Sequence, residues 1–237
     1  MINIAAGKEQ LIIMAAKNPM KYYTHLLFDL DGTITDSEEG ILNSIRHCLT
    51  HYRIDHPEPS ILKKFIGPPL IQSLKEHYAF DPVMAEKAVK VYREYFRKKG
   101  IYENKLYPGI PGLLKSLHER GRIIMLATAK PTFYAKKIVI HFKIGPFLAD
   151  VVGSNMDGSR MDKKEIIQHI LDRHPEVPVE NFIMIGDRMH DIMGARHHGM
   201  DSIWVKYGYG DEDDIKSLAP TYMADSVSDL RRLLLPD

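Results

Sequence analysis

One cysteine, Cys48, in 237 residues leaves no internal disulfide possible. That excludes the small secreted scaffolds held by disulfides and makes a reducing, cytoplasmic setting the expected one. No apolar run approaches the roughly 20 residues that a membrane span needs. The opening stretch "MINIAAGKEQLIIMAAKNPM" breaks its Leu-Ile-Ile-Met patch with Lys8, Glu9 and Lys17, too often for a secretory leader. Charge of one sign is also missing. A formal net charge of +1 offers no basic footprint for a nucleic acid polymer and no polybasic patch for a membrane. Repeats and low-complexity tracts are absent too. What remains, 44% apolar and 27% charged residues, is ordinary globular composition, with room for one large domain or two modest ones.

Short apolar runs punctuate the chain: "YTHLLFDL" from residue 23, "GRIIMLATA" (121–129), "ADVVGS" (149–154), "NFIMIGD" (181–187) and "DSIWVK" (201–206). Each is rich in Ile, Val, Met or Phe and closes on a polar residue or glycine, as buried strands do. Amphipathic stretches lie between them: "PGLLKSLHER", "PTFYAKKIVIHF", "KKEIIQHILDRH" and "HDIMGARHHG". Pro111 and Pro131 stand at plausible helix starts and Gly199 at a helix stop. Strands alternating with helices predict an α/β fold, a Rossmann-like doubly wound parallel sheet. Residues 38–107 break the pattern and read as helices only. The expected organisation is therefore an N-terminal extension (1–21), a core built from 22–37 and 108–237, and a small inserted α-helical domain (38–107).

The first strand runs straight into carboxylates. Asp29, Asp31 and Asp36 crowd "FDLDGTITD", and neighbouring carboxylates repel unless a cation or a proton sits between them. Other strand ends carry Thr128 and Lys130, and Asp187 and Asp191 in "MIGDRMHD". Ligands of open parallel sheets bind outside the carboxyl ends of the strands, so these groups should converge. Asp29, Asp31 and Asp187 are hard oxygen donors suited to Mg²⁺. With the ion offsetting the charge of a phosphoryl group, Asp29 is the candidate nucleophile, giving an aspartyl-phosphate. Asp31 is the candidate for protonating the leaving oxygen and then activating water. Thr128 would bond the phosphoryl oxygens, and Lys163 or Lys164 would add positive charge.

Four motifs in order, "DLDGT" (29–33), "LATAK" (126–130), Lys163 in "MDKKE" and "GDRMHD" (186–191), resemble the haloacid dehalogenase-like hydrolase superfamily over about residues 22–235. That resemblance implies an Mg²⁺-dependent phosphatase of small phosphate esters. It favours Lys163 over Lys164 and implies that Asp31 offers the ion its main-chain carbonyl. It also gives Asp191 a supporting role through water and makes the helical insert a cap. An acid at position 31 suits ester hydrolysis, or phosphomutase chemistry of the beta-phosphoglucomutase kind. A non-catalytic phosphate-binding module on the same fold is the rival from another class.

Blander readings compete. "LFDLDGTITDSE" spaces its oxygens like a calcium-binding loop, but opens on Leu27 and follows a strand. Thr128 by itself would be a helix N-cap. His47 and His51, four apart around Cys48, fit a helix face better than a zinc site. Within the resemblance, "FIGPPL", "YENKLYPGI" and "GSNMDGSRMDK" are similar to the branch of phosphoglycolate phosphatases and bacterial 5'-nucleotidases. Substrate contacts are then expected from Lys64, Gly67, Gln72, Ser73 and Lys130. A carboxylate substrate would use Lys64. A nucleoside would use Phe65, Tyr78 or Tyr102 as a platform. Oligomeric state is not legible.

Overall fold

The protein is described here from a computed structural model covering residues 20–58, 61–62, 65–66 and 70–236. Most of the expected N-terminal extension, residues 1–19, lies outside the described residues, as do Lys64 and Gly67.

A six-stranded sheet forms the centre, in the order β5-β4-β1-β6-β7-β8, with every pairing parallel. β1 (His25–Phe28) is flanked by β4 (Ile123–Pro131) and β6 (Phe182–Gly186). β5 (Asp150–Ser154) closes one edge, while β7 (Asp201–Val205) and β8 (Tyr222–Ala224) extend the other. Leu26, Leu27 and Phe28 are buried, as a strand covered on both faces requires. Strand alternation divides them. Leu26 and Phe28 pack with α4 (Ile110–Glu119), α5 (Thr132–His141) and α9 (Val227–Leu234). Leu27 joins the cluster of α6 (Lys163–Leu171) and α7 (Met189–His197) on the opposite face.

The chain leaves β1 toward β4 and β5, then returns past β1 to build β6, β7 and β8. Strand order thus reverses at β1, and the carboxyl ends of β4, β1 and β6 stand side by side there. A crevice at such a reversal is where open α/β sheets take their ligands.

Between Glu38 and Gly100 the described residues contain helices and no strand. They are α1 (Glu38–His51), α2 (Leu70–Tyr78) and α3 (Pro82–Tyr95), which runs on into a π-helical turn at Phe96–Gly100. Asp81 starts α3 by accepting the Met84 amide at 2.8 Å, with Pro82 at the first helical position. The chain passes into and out of this segment through β2 (Thr35–Asp36) and β3 (Lys105–Leu106). These pair antiparallel, Thr35 with Leu106 and Asp36 with Lys105. Gly40 and Gly100 let α1 and the π-helical turn touch. A Cβ on Gly40 would lie 1.9 Å from the Gly100 carbonyl oxygen.

All five expected strands are present. β2, β3, β8, α9 and the short α8 (Glu212–Lys216) were not anticipated. β4 runs to Pro131, two residues past its expected end, with a register shift between Thr128 and Pro131.

Candidate active site

Asp29 follows β1, its amide still paired to Ile185 of β6 at 2.8 Å, so its side chain leaves the sheet at the reversal point. The next residues fold back sharply. The amides of Thr33, Ile34 and Thr35 converge on the Leu30 carbonyl. Gly32 adopts φ +83°, and a Cβ there would stand 2.2 Å from Asp187 Oδ2. Glycine is required on both counts.

Asp187, at the end of β6, is fully buried. Its Oδ2 accepts the Tyr209 amide at 2.8 Å and its Oδ1 the Thr33 hydroxyl at 3.3 Å. Gly208 and Gly210 permit this wrap, since Cβ atoms on them would lie 2.3 Å from Asp187 Cβ and 1.9 Å from its carbonyl oxygen. Oxygens of Asp29, Asp187 and Asp191 lie within 4.8 Å of one another, the one such acidic, histidine or cysteine cluster among the described residues.

Lys163 opens α6, with Asp162 as N-cap accepting the Lys164 amide at 2.9 Å. Its Nζ donates to Asp29 Oδ1 at 3.0 Å and to the Ala127 carbonyl at 2.7 Å, and it pairs with Asp191 Oδ1 at 2.7 Å. Burial opposes its charge, but Asp191 and Asp29 outweigh that and raise its pKa. Lys164 points away, to Asp162 at 3.5 Å. Of the two lysines, only Lys163 reaches the cluster.

One ammonium therefore faces three buried carboxylates. Burial, then Asp191 and Asp29, push the Asp187 carboxyl well above its ordinary value. Burial and the Asp29 charge likewise raise Asp191 against the pull of Lys163. A hard divalent cation fits this set: the donors are all oxygen and negative charge is in excess.

Thr128 is buried at the bulge of β4, its Oγ1 accepting the Lys130 amide at 3.3 Å. Asp31 Oδ2 pairs with Lys130 Nζ at 2.8 Å, while Asp31 Oδ1 has no hydrogen-bond partner. Asp29, Asp31, Thr128 and Lys130 line a cavity of about 460 Å³ roofed by the helical segment. Phe65, Val89, Tyr92, Phe96 and Tyr134 give it an apolar and aromatic wall, with Lys90 and Arg93 at its edge. Arg93 bridges the two sides by donating to the Met156 carbonyl at 3.2 Å. A second cavity of about 440 Å³ reaches Asp29 from the side of Lys163, Arg188 and His190.

Several expectations need correction. Ser73 is not at the cavity, because α2 turns Ser73 and Leu74 inward and leaves Gln72 facing the second cavity. Of the three aromatic platforms expected, only Phe65 lines the main cavity. Tyr78 packs on Phe65 and Phe80, and Tyr102 is exposed against His141. Tyr92, Phe96 and Tyr134 were missed. Tyr92 and Phe96 stand three and seven residues after Val89, which also faces the cavity, a helical spacing that carries no chemical mark. The Thr33 and Tyr209 contacts to Asp187 were also missed, although the paired glycines of "YGYG" after a buried strand signal a close backbone approach.

The model of the haloacid dehalogenase-like hydrolases matches residues 26–205. A 5'-nucleotidase of Pseudomonas aeruginosa is 43% identical over 90% of this chain and 96% of its own length. Tyrosine-protein kinase PtkA of Mycobacterium tuberculosis is 35% identical over 92% of this chain and 75% of its own. The crystal structure of a predicted phosphatase from Clostridium acetobutylicum superposes with a TM-score of 0.86 at 40% identity, covering 91% of this chain and 99% of that one. The fold is the Rossmann-like α/β fold of that group, a parallel six-stranded sheet flanked by helices, with the candidate site at the strand-order reversal. The chain belongs to the haloacid dehalogenase-like hydrolase family, and within it to the phosphatases. No helix among the described residues is long and apolar enough to cross a membrane.

Proposed function

We propose that the protein hydrolyses small phosphate monoesters through a phosphoryl group carried on Asp29, and that 5'-nucleoside monophosphates are its preferred class. The observation that carries this reading is the position of Asp29 at the floor of a 460 Å³ cavity with an aromatic wall. A two-carbon phosphorylated acid would leave most of that volume empty. A nucleoside fills it, and aromatic side chains suit the face of a base. Among the described residues that line the cavity, Lys130 is held by Asp31 and Arg93 donates to the Met156 carbonyl, which leaves Lys90 as the cation offered to a small carboxylate.

In this reading Asp29 attacks phosphorus, the bond to the leaving oxygen breaks, and Asp31 delivers the proton that oxygen needs. Asp31 then takes a proton from the water that cleaves the acyl phosphate, releasing inorganic phosphate and restoring Asp29. Lys163 balances charge on Asp29, and the Thr128 hydroxyl offers a hydrogen bond to the transferring group. Asp29, Asp187 and the Asp31 main-chain carbonyl would hold Mg²⁺, with Asp191 supporting, and the ion would supply positive charge against the phosphoryl oxygens. Residues 38–107 act as a cap hinged where β2 and β3 pair, excluding water while the ester is attacked.

The test is a panel of phosphate esters assayed with Mg²⁺: 5'-nucleoside monophosphates, 2-phosphoglycolate and hexose phosphates. Nucleotides should turn over with the highest kcat/KM. Preference for 2-phosphoglycolate or a hexose phosphate would overturn the substrate class. Transfer to a second sugar hydroxyl instead of water would make the enzyme a mutase.

A further inference from the structure

Lys130 stands between two parts of the molecule. From the core side, its Nζ pairs with Asp31 Oδ2 at 2.8 Å, both side chains being nearly buried. From the helical segment, the ring of Phe96 covers the same ammonium, with Nζ 4.7 Å from the ring centroid. Phe96 is itself fixed. It opens the π-helical turn, stacks on Tyr92 at 5.6 Å and 14°, and meets the edge of Tyr134 at 5.3 Å and 87°. Tyr134 belongs to the core, so the ring is gripped from both sides. The other oxygen of Asp31 is buried and has no hydrogen-bond partner, and Asp31 lines the cavity that would receive the ester.

We infer that Lys130 is a positioning residue. It fixes Oδ2 of Asp31 so that Oδ1 alone faces the leaving oxygen, and Phe96 holds Lys130 in place when the helical segment is seated. The inference rests on the reading of Asp31 as the proton donor. A carboxylate with one oxygen anchored presents the other in a single orientation, the condition general acid catalysis places on its donor. An ammonium against an aromatic face gains further from exclusion of water. Seating of the π-helical turn is thereby tied to readiness of the proton donor, through one side chain.

Leaving-group dependence separates this role from the alternatives. In a series from phenyl to 2,4-dinitrophenyl phosphate the leaving groups are alike in shape and differ in their need for a proton, and kcat/KM reports only the steps through phosphorylation of Asp29. In Lys130→Met and Lys130→Gln, kcat/KM should fall roughly 10–100-fold for phenyl phosphate and less than about threefold for the dinitrophenyl ester. Phe96→Leu, which keeps apolar bulk, should show the same selectivity with a loss of about two- to tenfold on phenyl phosphate. Asp31→Asn is the control and should steepen the dependence most. Equal losses across the series in the Lys130 variants would make Lys130 a holder of phosphoryl charge and overturn the inference. So would an unchanged series. If Asp31→Asn itself fails to steepen the series, the reading of Asp31 is at fault. Circular dichroism confirms the fold of each variant, and Lys130→Gln, which keeps a hydrogen-bond donor, decides the matter should Lys130→Met unfold.

Discussion

Tyr209 and Asp36 meet hydroxyl to carboxylate at 2.7 Å, joining the loop after β7 to the turn that enters α1. The Tyr209 hydroxyl oxygen also accepts the amides of Ser37 at 2.8 Å and Glu38 at 3.1 Å. Ser37, at the N-cap of α1, makes no capping bond of its own, so the tyrosine stands in for the cap. Through its own amide Tyr209 also holds Asp187. One residue thus grips the acidic cluster with its main chain and the start of the helical segment with its side chain.

Tyr209→Phe should therefore separate the two grips. It removes the acceptor of the Ser37 amide and one of two acceptors of the Glu38 amide, which keeps Asp36 Oδ1 at 3.3 Å, while leaving the Asp187 bond intact. We expect a loss of about 1–3 kcal/mol in denaturant unfolding, with affinity for Mg²⁺ little changed. A matching collapse of Mg²⁺ affinity would show that the hydroxyl, and not the amide alone, secures the cluster.

Asp29→Asn keeps the shape of the nucleophile and an oxygen for Lys163 while removing the attacking charge. Turnover should drop by at least about 10³-fold with the unfolding midpoint nearly kept. Steady-state assay beside thermal unfolding checks both halves. Near-normal hydrolysis by this variant would remove Asp29 from its role.

What the sequence made legible follows from how local each signal is. β1 and β6 are short apolar runs that end on acids, and hydrophobic burial and Asp chemistry mark them together. Lys163 was separable from Lys164 only by resemblance. The structure supplies the physical reason, an Asp162 cap that sets Lys163 at the first helical position, facing inward. The aromatic wall escaped notice because Tyr92 and Phe96 look like any core residues of an amphipathic helix until Tyr134, some forty residues on, closes against Phe96. β8 escaped for another reason. "YMA" is too short to show alternation, and it is a strand because β7 already offers an edge.

Gly32 turns the fold into a constraint on chemistry. Any side chain there meets the Asp187 carboxylate at 2.2 Å and must adopt φ +83°. Gly32→Ala should lower stability by about 1–3 kcal/mol through backbone strain alone and should displace Asp187, weakening Mg²⁺ binding. Titration with Mg²⁺ followed by thermal shift measures both. A variant with normal metal-dependent stabilisation would mean that the loop yields and Asp187 does not.

The acidic cluster makes a prediction whose sign depends on the ion. The Asp187 carboxyl is raised in the folded protein, chiefly by burial and then by Asp191 and Asp29. A carboxyl raised on folding binds protons more tightly in the native than in the unfolded state. Its effect on stability therefore becomes less favourable as pH rises from the ordinary carboxylate range toward the raised value. Asp187→Asn removes that charge while its amide oxygen can still accept from Tyr209. In excess chelator at about pH 8, the variant should unfold at higher denaturant concentration than the wild type, with the advantage shrinking as the solution is acidified. Saturating Mg²⁺ should invert the order, because the ion binds the ionised carboxylate and stabilises only the chain that provides it. Denaturant curves for the two proteins, with chelator and with Mg²⁺, give four midpoints. If the wild type is the more stable protein in chelator at high pH, the cluster is satisfied by its own hydrogen bonds and by Lys163, and the case for a cation between these acids loses its physical basis.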